Sequence, residues 1–408
     1  MTMLQAQQTV TPVAPVAPVA PVALAQRLLI LAVLTTLTIL TTLALLTSLT
    51  CASDTYRAAI TGQEKPVLEF LRTFETLQEQ LHPAKFVQLQ SDLIKTVGNQ
   101  FIQIRAELHK LTPPPELKDF DQTWREAISL LDTTYGIFVR SDRSSFIGAF
   151  MQSRAAFTRA RYHLYAIRKY TATLQQYWVL PEAVASLAAL EKRAVDQQRK
   201  VGIIHQPRSS NHGAYSLYVP EDYDPVRHWP LIIALHGGSG MSVDYLLTWL
   251  RPAKSKGYIV LAPQSLGRTW AIENPDIDVL SIVTMLTRIR EEYAIDPDRI
   301  LVTGLSDSGT FAYALGSSCP NLFGGVAPIA GLLPPWFDVE KAKALPILII
   351  HGAQDFIFPV MVARMANATL IRNGFAEVSY KELPDWGHAY TYSINEELVL
   401  PWFEALFQ

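Results

Sequence analysis

Three short segments hold residues that could act together chemically: Gly304-Leu305-Ser306-Asp307-Ser308-Gly309, then His351-Gly352-Ala353-Gln354-Asp355, and last Trp386-Gly387-His388. A serine hydroxyl is a weak nucleophile near neutral pH, so it needs an imidazole to take its proton. The imidazole in turn needs a carboxylate that fixes its tautomer and stabilises the imidazolium. Ser306 is assigned the nucleophile, His388 the general base and Asp355 the orienting acid. Asp338 and Asp385 are rival acids, and Asp355 also suits the N-cap of a helix starting near Pro359. Ser308 is a second hydroxyl nearby, but it falls inside the helix that follows Ser306.

Such a reaction needs backbone donors where the oxygen of a tetrahedral intermediate turns negative, and losing one costs about 3–4 kcal/mol in barrier. His236-Gly237-Gly238-Ser239-Gly240 suits this, with the amides of Gly238 and of Asp307 as the expected donors. Gly237 lets the backbone come close to substrate. His236 and His351 each precede a glycine at a strand end, and structural roles are expected for both. Arg268 and Trp270, in Gly267-Arg268-Thr269-Trp270, are candidate substrate-binding residues, and Trp249, Trp336 and Phe337 are candidate pocket walls. Residues 331–345 are too few for a large helical lid, so the cleft is expected to be open. An open cleft favours soluble or polymeric esters over a deeply held lipid chain.

These residues must be positioned by a sheet. Leu231-Ile232-Ile233-Ala234-Leu235, Tyr258-Ile259-Val260-Leu261-Ala262, Ile300-Leu301-Val302 and Ile347-Leu348-Ile349-Ile350 are unbroken apolar runs, as in strands buried on both faces. Tyr215-Ser216-Leu217-Tyr218-Val219 alternates like a half-exposed strand. Helical stretches over about 277–293, 310–317 and 360–373 separate the later runs, which predicts an α/β sheet with crossover helices and its site at the strands' carboxyl ends.

The segments Tyr218-Val219-Pro220, Leu235-His236-Gly237-Gly238, Ala262-Pro263, Gly304 to Gly309, His351-Gly352 and Gly387-His388 resemble the phospholipase/carboxylesterase and polyhydroxybutyrate-depolymerase-like esterases of the α/β-hydrolase superfamily. The resemblance covers roughly residues 203–408. It implies an α/β-hydrolase fold, with a mostly parallel sheet and flanking helices, together with an acyl-enzyme mechanism and an ester-like substrate. It also implies a strained nucleophile turn. One departure stands out: the family's usual glycine two residues after the nucleophile is Ser308 here.

The rest of the chain reads differently. Residues 1–27 hold four Pro-Val-Ala triplets and are expected to form a disordered, polyproline-like leader. Residues 28–53 carry no charge and are expected to form a transmembrane helix or signal anchor, diluted by threonines whose hydroxyls can bond the preceding turn. Cleavage or lipidation at Cys51 are the alternatives. Arg27 on the short side points to an extracytoplasmic position for the bulk of the chain.

Residues 54–200 show helical periodicity in Val67, Phe70, Leu71, Phe74, Leu77 and Leu81, then in Phe86 to Leu108, Leu117 to Phe138 and Phe146 to Tyr177, which predicts an all-α bundle with no assigned chemistry. Its Arg154, Arg159, Arg161, Arg168 and Lys169 are expected on a solvated helix face. The catalytic domain is placed at 201–408. A net charge of -2 and only two cysteines argue against nucleic acid, a disulfide framework or a cysteine metal site, and no cofactor is required. The expected function is that of a membrane-anchored serine hydrolase cleaving carboxylic esters. The alternatives are a peptidase or thioesterase using the same triad, or a non-catalytic binding protein.

Overall fold

A computed structural model of the chain describes residues 21–192, 199–210 and 212–408. Most of the expected Pro-Val-Ala leader falls outside these residues. Its last part does not follow the expectation, because helix α1, Pro21–Glu79, already starts at Pro21, where a missing N–H costs a first turn nothing. The uncharged stretch 28–53 lies within α1, and most of its side chains fall outside the described residues. Thr35 and Thr36 donate to the carbonyls of Leu31 and Val33 at 2.9 and 3.0 Å. Among the described residues, no helix is long and apolar enough to cross a membrane.

The segment before Ile60, with Thr112–Pro114, forms one compact unit, and Ile60–Leu111 with Pro115–Gln408 forms the other. The second unit joins the helical region to the sheet. Its helices are the end of α1, α2 Phe86–Val97, α3 Gln100–Leu108, α4 Lys118–Arg140 and α5 Phe146–Ile167. Phe70 meets Phe101 edge-on with centroids 4.9 Å apart, and Phe74 packs on Phe157 at 4.8 Å, so the aromatic positions of the helical period form one core. The second predicted helix is divided at Gly98, which adopts φ 50° and ends α2. The fourth is divided at Thr171, whose hydroxyl caps a new short helix, α6 Ala172–Tyr177; a further turn, α7, spans Leu187–Leu190.

The predicted solvated basic face is corrected at three of its five positions. Arg154, Arg161 and Arg168 are buried, while Arg159 and Lys169 are exposed. The reason is that each buried guanidinium meets a buried carboxylate: Arg154 pairs with Asp244 at 3.2 Å, Arg161 with Glu75 at 3.0 Å, and Arg168 with Glu221 at 2.6 Å. Burial of such charges is tolerated only with partners of this kind.

Eight strands form one sheet in the order β1-β2-β4-β3-β5-β6-β7-β8. They are β1 Gly202–Gln206, β2 Tyr215–Val219, β3 Trp229–Leu235, β4 Ile259–Pro263, β5 Ile295–Leu305, β6 Gly325–Ile329, β7 Ile347–Gly352 and β8 Val378–Leu383. The β1–β2 and β2–β4 pairs are antiparallel, and all pairs from β4 through β3 to β8 are parallel. The flanking helices are α8 Ser242–Lys256, α9 Asp276–Glu292, α10 Asp307–Ser318, α11 Val339–Ala342, α12 Met361–Arg372, α13 Tyr392–Ile394 and α14 Leu400–Ala405.

Strand β2 is buried along its whole length, contrary to its alternating pattern. Its polar member Ser216 is satisfied by Ser242 at 2.9 Å and by His205 at 3.0 Å, which removes the cost of covering that face.

Candidate active site

Ser306 sits between β5 and α10 with φ 67° and ψ -125°. A non-glycine residue reaches that region only where its surroundings hold it. Here the Ser306 amide donates to the Ile329 carbonyl at 2.9 Å, and the Ser306 carbonyl accepts from Thr310 N at 3.0 Å. Glycine is required at 304, because a Cβ there would lie 2.6 Å from Ser308 Oγ. Ser308 itself is fully buried, its hydroxyl 2.9 Å from the Leu235 carbonyl and 2.8 Å from that of Leu305. The residue that replaces the family's glycine thus ties the start of α10 to the end of β3, and it is not presented as a nucleophile.

Asp355 follows β7, and His388 lies in the loop beyond β8. His388 Nδ1 is 2.8 Å from Asp355 Oδ2. An ionised carboxylate only accepts, so Nδ1 carries the proton and Nε2 keeps the lone pair. Asp355 Oδ1 accepts from the Ile357 and Phe358 amides at 2.8 and 2.7 Å, so the helix-start role considered from sequence coexists with the imidazole contact. Its Oδ2 also lies 3.3 Å from His351 Nε2. Burial alone would raise the carboxyl's pKa, but the hydrogen bonds from His351 and His388 outweigh it and hold the group well below the usual carboxylate range. Of the rival acids, Asp338 caps α11 through Lys341 N at 3.0 Å, and Asp385 is exposed.

The expected oxyanion donors lie beside the nucleophile. A Cβ built on Gly237 would be 3.9 Å from Ser306 Cβ, and one on Gly238 would be 2.6 Å from Asp307 Oδ2. Among the described residues neither the Gly238 nor the Asp307 amide donates to a backbone carbonyl, and Asp307 opens α10, where the first N–H groups have no partner within the helix. His236 supports this loop from below. Its Nδ1 faces the Gly237 carbonyl at 2.8 Å, its Nε2 accepts from Ser265 N at 3.1 Å, and burial lowers its pKa, so it is a neutral, structural imidazole.

Ser306, His388, Gly237 and Gly238 line one cavity of about 370 Å³. Among the described residues no group of three or more His, Cys, Asp or Glu side chains is placed to hold a metal ion.

Residues 278–398 match the family model described as phospholipase/carboxylesterase. Among curated proteins, the chain is similar to feruloyl esterase C of Emericella nidulans, 30% identical over 40% of this chain and 63% of that one. It is also similar to poly(3-hydroxyalkanoate) depolymerase C of Paucimonas lemoignei, 33% identical over 25% and 28% of the two chains. A third relative is the bifunctional acetylxylan esterase/xylanase XynS20E of Neocallimastix patriciarum, 30% identical over 34% and 21%. The chain spans less than two thirds of the length of each of these relatives. The sheet order and these matches support an α/β-hydrolase fold for the part of the chain that they cover.

Several of the expected substrate contacts lie elsewhere. Trp270 is buried, stacks on Phe311 at 4.9 Å and donates to the His236 carbonyl at 2.7 Å, so it is a support for the glycine loop. Arg268 is exposed and offers its carbonyl to Ser239 N at 3.0 Å. Neither lines the cavity, and nor do Trp249, Trp336 and Phe337.

The expectation of an uncovered cleft is corrected as well. Leu81 and the α5 residues Phe146, Ile147, Phe150, Met151 and Arg154 form one side of the cavity. The cover comes from the N-terminal helices, and the cavity's lining includes no residue of 331–345.

The same helices hold the loop that carries His388. Glu79 accepts from Ser393 Oγ at 2.9 Å, Arg161 donates to Tyr392 Oη at 3.2 Å, and Arg154 donates to Tyr390 Oη. Phe146 packs on Phe356 with centroids 6.0 Å apart, and Phe356 packs on His388 at 6.5 Å. Sequence reading assigned these helices no part in the site. The available signal was the spacing of Arg154, Arg161 and Arg168, seven residues apart and hence on one stripe of a helix, with Arg159 and Lys169 off it.

Proposed function

We propose that the chain is a metal-independent serine hydrolase that cleaves carboxylic esters through an acyl-enzyme. The 2.8 Å contact between His388 Nδ1 and Asp355 Oδ2, in a cavity shared with the strained Ser306, is the observation that carries this reading. His388 Nε2 takes the proton from Ser306 as the hydroxyl oxygen attacks the ester carbonyl. Asp355 stabilises the imidazolium, and the Gly238 and Asp307 amides bind the oxyanion. The imidazolium then protonates the departing alcohol, and water repeats the sequence on the acyl-enzyme.

The test is a panel of acyl esters, thioesters and peptides, including feruloyl and 3-hydroxyalkanoate esters in view of what the relatives are named for. Ester hydrolysis that falls at least about 10³-fold in Ser306→Ala supports the reading. Turnover of peptides or thioesters alone, or ester turnover unchanged in Ser306→Ala, contradicts it.

The membrane tether, with the hydrolase on the extracytoplasmic side, is proposed on sequence alone, from the uncharged run over 28–53 and from Arg27. Retention of the full chain in membranes after alkaline carbonate extraction, with protease access from outside, is the expected result. Release into the supernatant would contradict it.

A further inference from the structure

Resting on the ester-hydrolase reading, we infer that the N-terminal helices determine which esters are cleaved: α5 and Leu81 form the acyl-binding wall, and the site selects compact, apolar acyl groups. The sheet domain brings Ser306, His388 and the glycine backbone, and an opposing apolar side that includes Leu305, Phe356 and Ile357. The apolar surface comes in large part from Leu81, Phe146, Ile147, Phe150 and Met151.

The cavity is graded from mouth to end. Ile147 and Ile357 are about half exposed, at 54% and 46%, whereas Phe150 is buried at 7% and Arg154 at 3%. During turnover the alcohol must leave and water must enter, while the acyl group stays attached to Ser306. The enclosed end therefore holds the part that stays, and the open end faces the part that leaves.

Size and polarity set the limit. A volume of about 370 Å³ is at the low end for small-molecule sites, and a dry cavity of about 150 Å³ already takes benzene. There is room for a phenyl ring on a short linker or for a branched or short straight chain. A longer chain running past Phe150 reaches the Arg154 guanidinium, 3.2 Å from Asp244 Oδ2. Carbons there would crowd a buried ion pair whose guanidinium already lies 4.3 Å from the centre of the Tyr390 ring. A polymeric ester can be accepted only by presenting one acyl unit inward from the mouth.

The experiment compares p-nitrophenyl acetate, butyrate, 3-phenylpropanoate and dodecanoate on the full chain, with Ile147→Trp and Phe150→Ala as variants. In the wild type, kcat/KM should rise about fourfold per methylene while the group fits, then fall by dodecanoate. Ile147→Trp should lower the phenylpropanoate-to-acetate ratio about tenfold, and Phe150→Ala should raise the dodecanoate-to-butyrate ratio about tenfold. Ratios within about twofold of wild type in both variants would overturn the inference. If Phe150→Ala does not fold, the half-exposed Ile147 position decides alone. If no ester is turned over, rates of labelling by fluorophosphonates bearing methyl, butyl and dodecyl groups replace the turnover ratios. Labelling at rates indifferent to the alkyl group overturns the wall, whereas no labelling at all overturns the Ser306 reading and this inference with it.

Discussion

Asp355 receives two imidazoles and two backbone amides, so every acceptor position of its carboxylate is in use. Because its pKa is depressed, the stabilisation it brings is complete above the unfolded value, near 3.8, and is lost only as pH falls through the lower folded value. Asp355→Asn keeps the shape but offers His388 an amide, and kcat should fall about 10⁴-fold with little change in KM. Steady-state kinetics check this; a fall below about tenfold would remove Asp355 from the proposed triad.

At Gly238 the added methyl of an alanine would lie 2.6 Å from Asp307 Oδ2. The loop must then move, and Gly238→Ala should lower kcat about 10²–10³-fold without altering the rate of thermal unfolding.

Ser306, Asp355 and His388 were singled out in the sequence because a glycine-flanked serine after an apolar strand, followed by late Asp and His, constrains the reading strongly; the structure sets His388 against Asp355 and has Ser306 and His388 line one cavity. His351 was read as structural, and the second imidazole contact to Asp355 that it supplies was not visible. Trp270 and Arg268 were misread because a residue's presence on a site-facing loop does not tell which way its side chain turns.

Helix α5 shows how an element can look ordinary in sequence and still bear on the site. Its apolar positions at helical spacing announce a helix, and the buried arginines could have been solvent-facing until their partners were known. Arg161 is bonded to Glu75, Tyr392 and the Leu247 carbonyl, joining α1, α5, α8 and α13. Arg161→Met leaves the Glu75 carboxylate with Arg251 alone among its cationic partners, so it should destabilise the chain by about 3–5 kcal/mol, read by chemical denaturation.

Glu79→Gln, by contrast, weakens a contact to Ser393 and should act chiefly on the His388 loop. The expected signature is a lower kcat with KM and melting temperature nearly unchanged. The sheet was easier to foresee. Its central strands are unbroken apolar runs, whereas β1 and β6 are short and carry no distinguishing pattern, and the full burial of β2 depends on neighbours far away in sequence.

Across the whole described structure, the region Ile60–Leu111 and the α/β domain form one unit, so the boundary near residue 200 seen in the sequence marks a change of periodicity more than a break in packing. A buried cluster at this junction gives a pH dependence. Burial, reinforced by the neighbouring carboxylates Glu75 and Glu79 and opposed by Arg251 and Arg161, pushes Glu396 up to about 7. For a raised carboxylate the sign is the reverse of that for Asp355. The cost is absent below the unfolded value of 4.5 and grows as pH rises through 7. Glu396→Gln should therefore flatten the fall in melting temperature between those pH values and stabilise the protein at pH 8 by up to about 3 kcal/mol.

The central claim is that one oxygen is made nucleophilic by this assembly, and the most direct measurement is the site of covalent attachment by a fluorophosphonate, read by peptide mass spectrometry on the full chain. The account predicts a single adduct on Ser306, absent in Ser306→Ala and retained in Ser308→Ala. An adduct on Ser308 or elsewhere, or an unmodified wild type under conditions that label an active serine hydrolase, would contradict it.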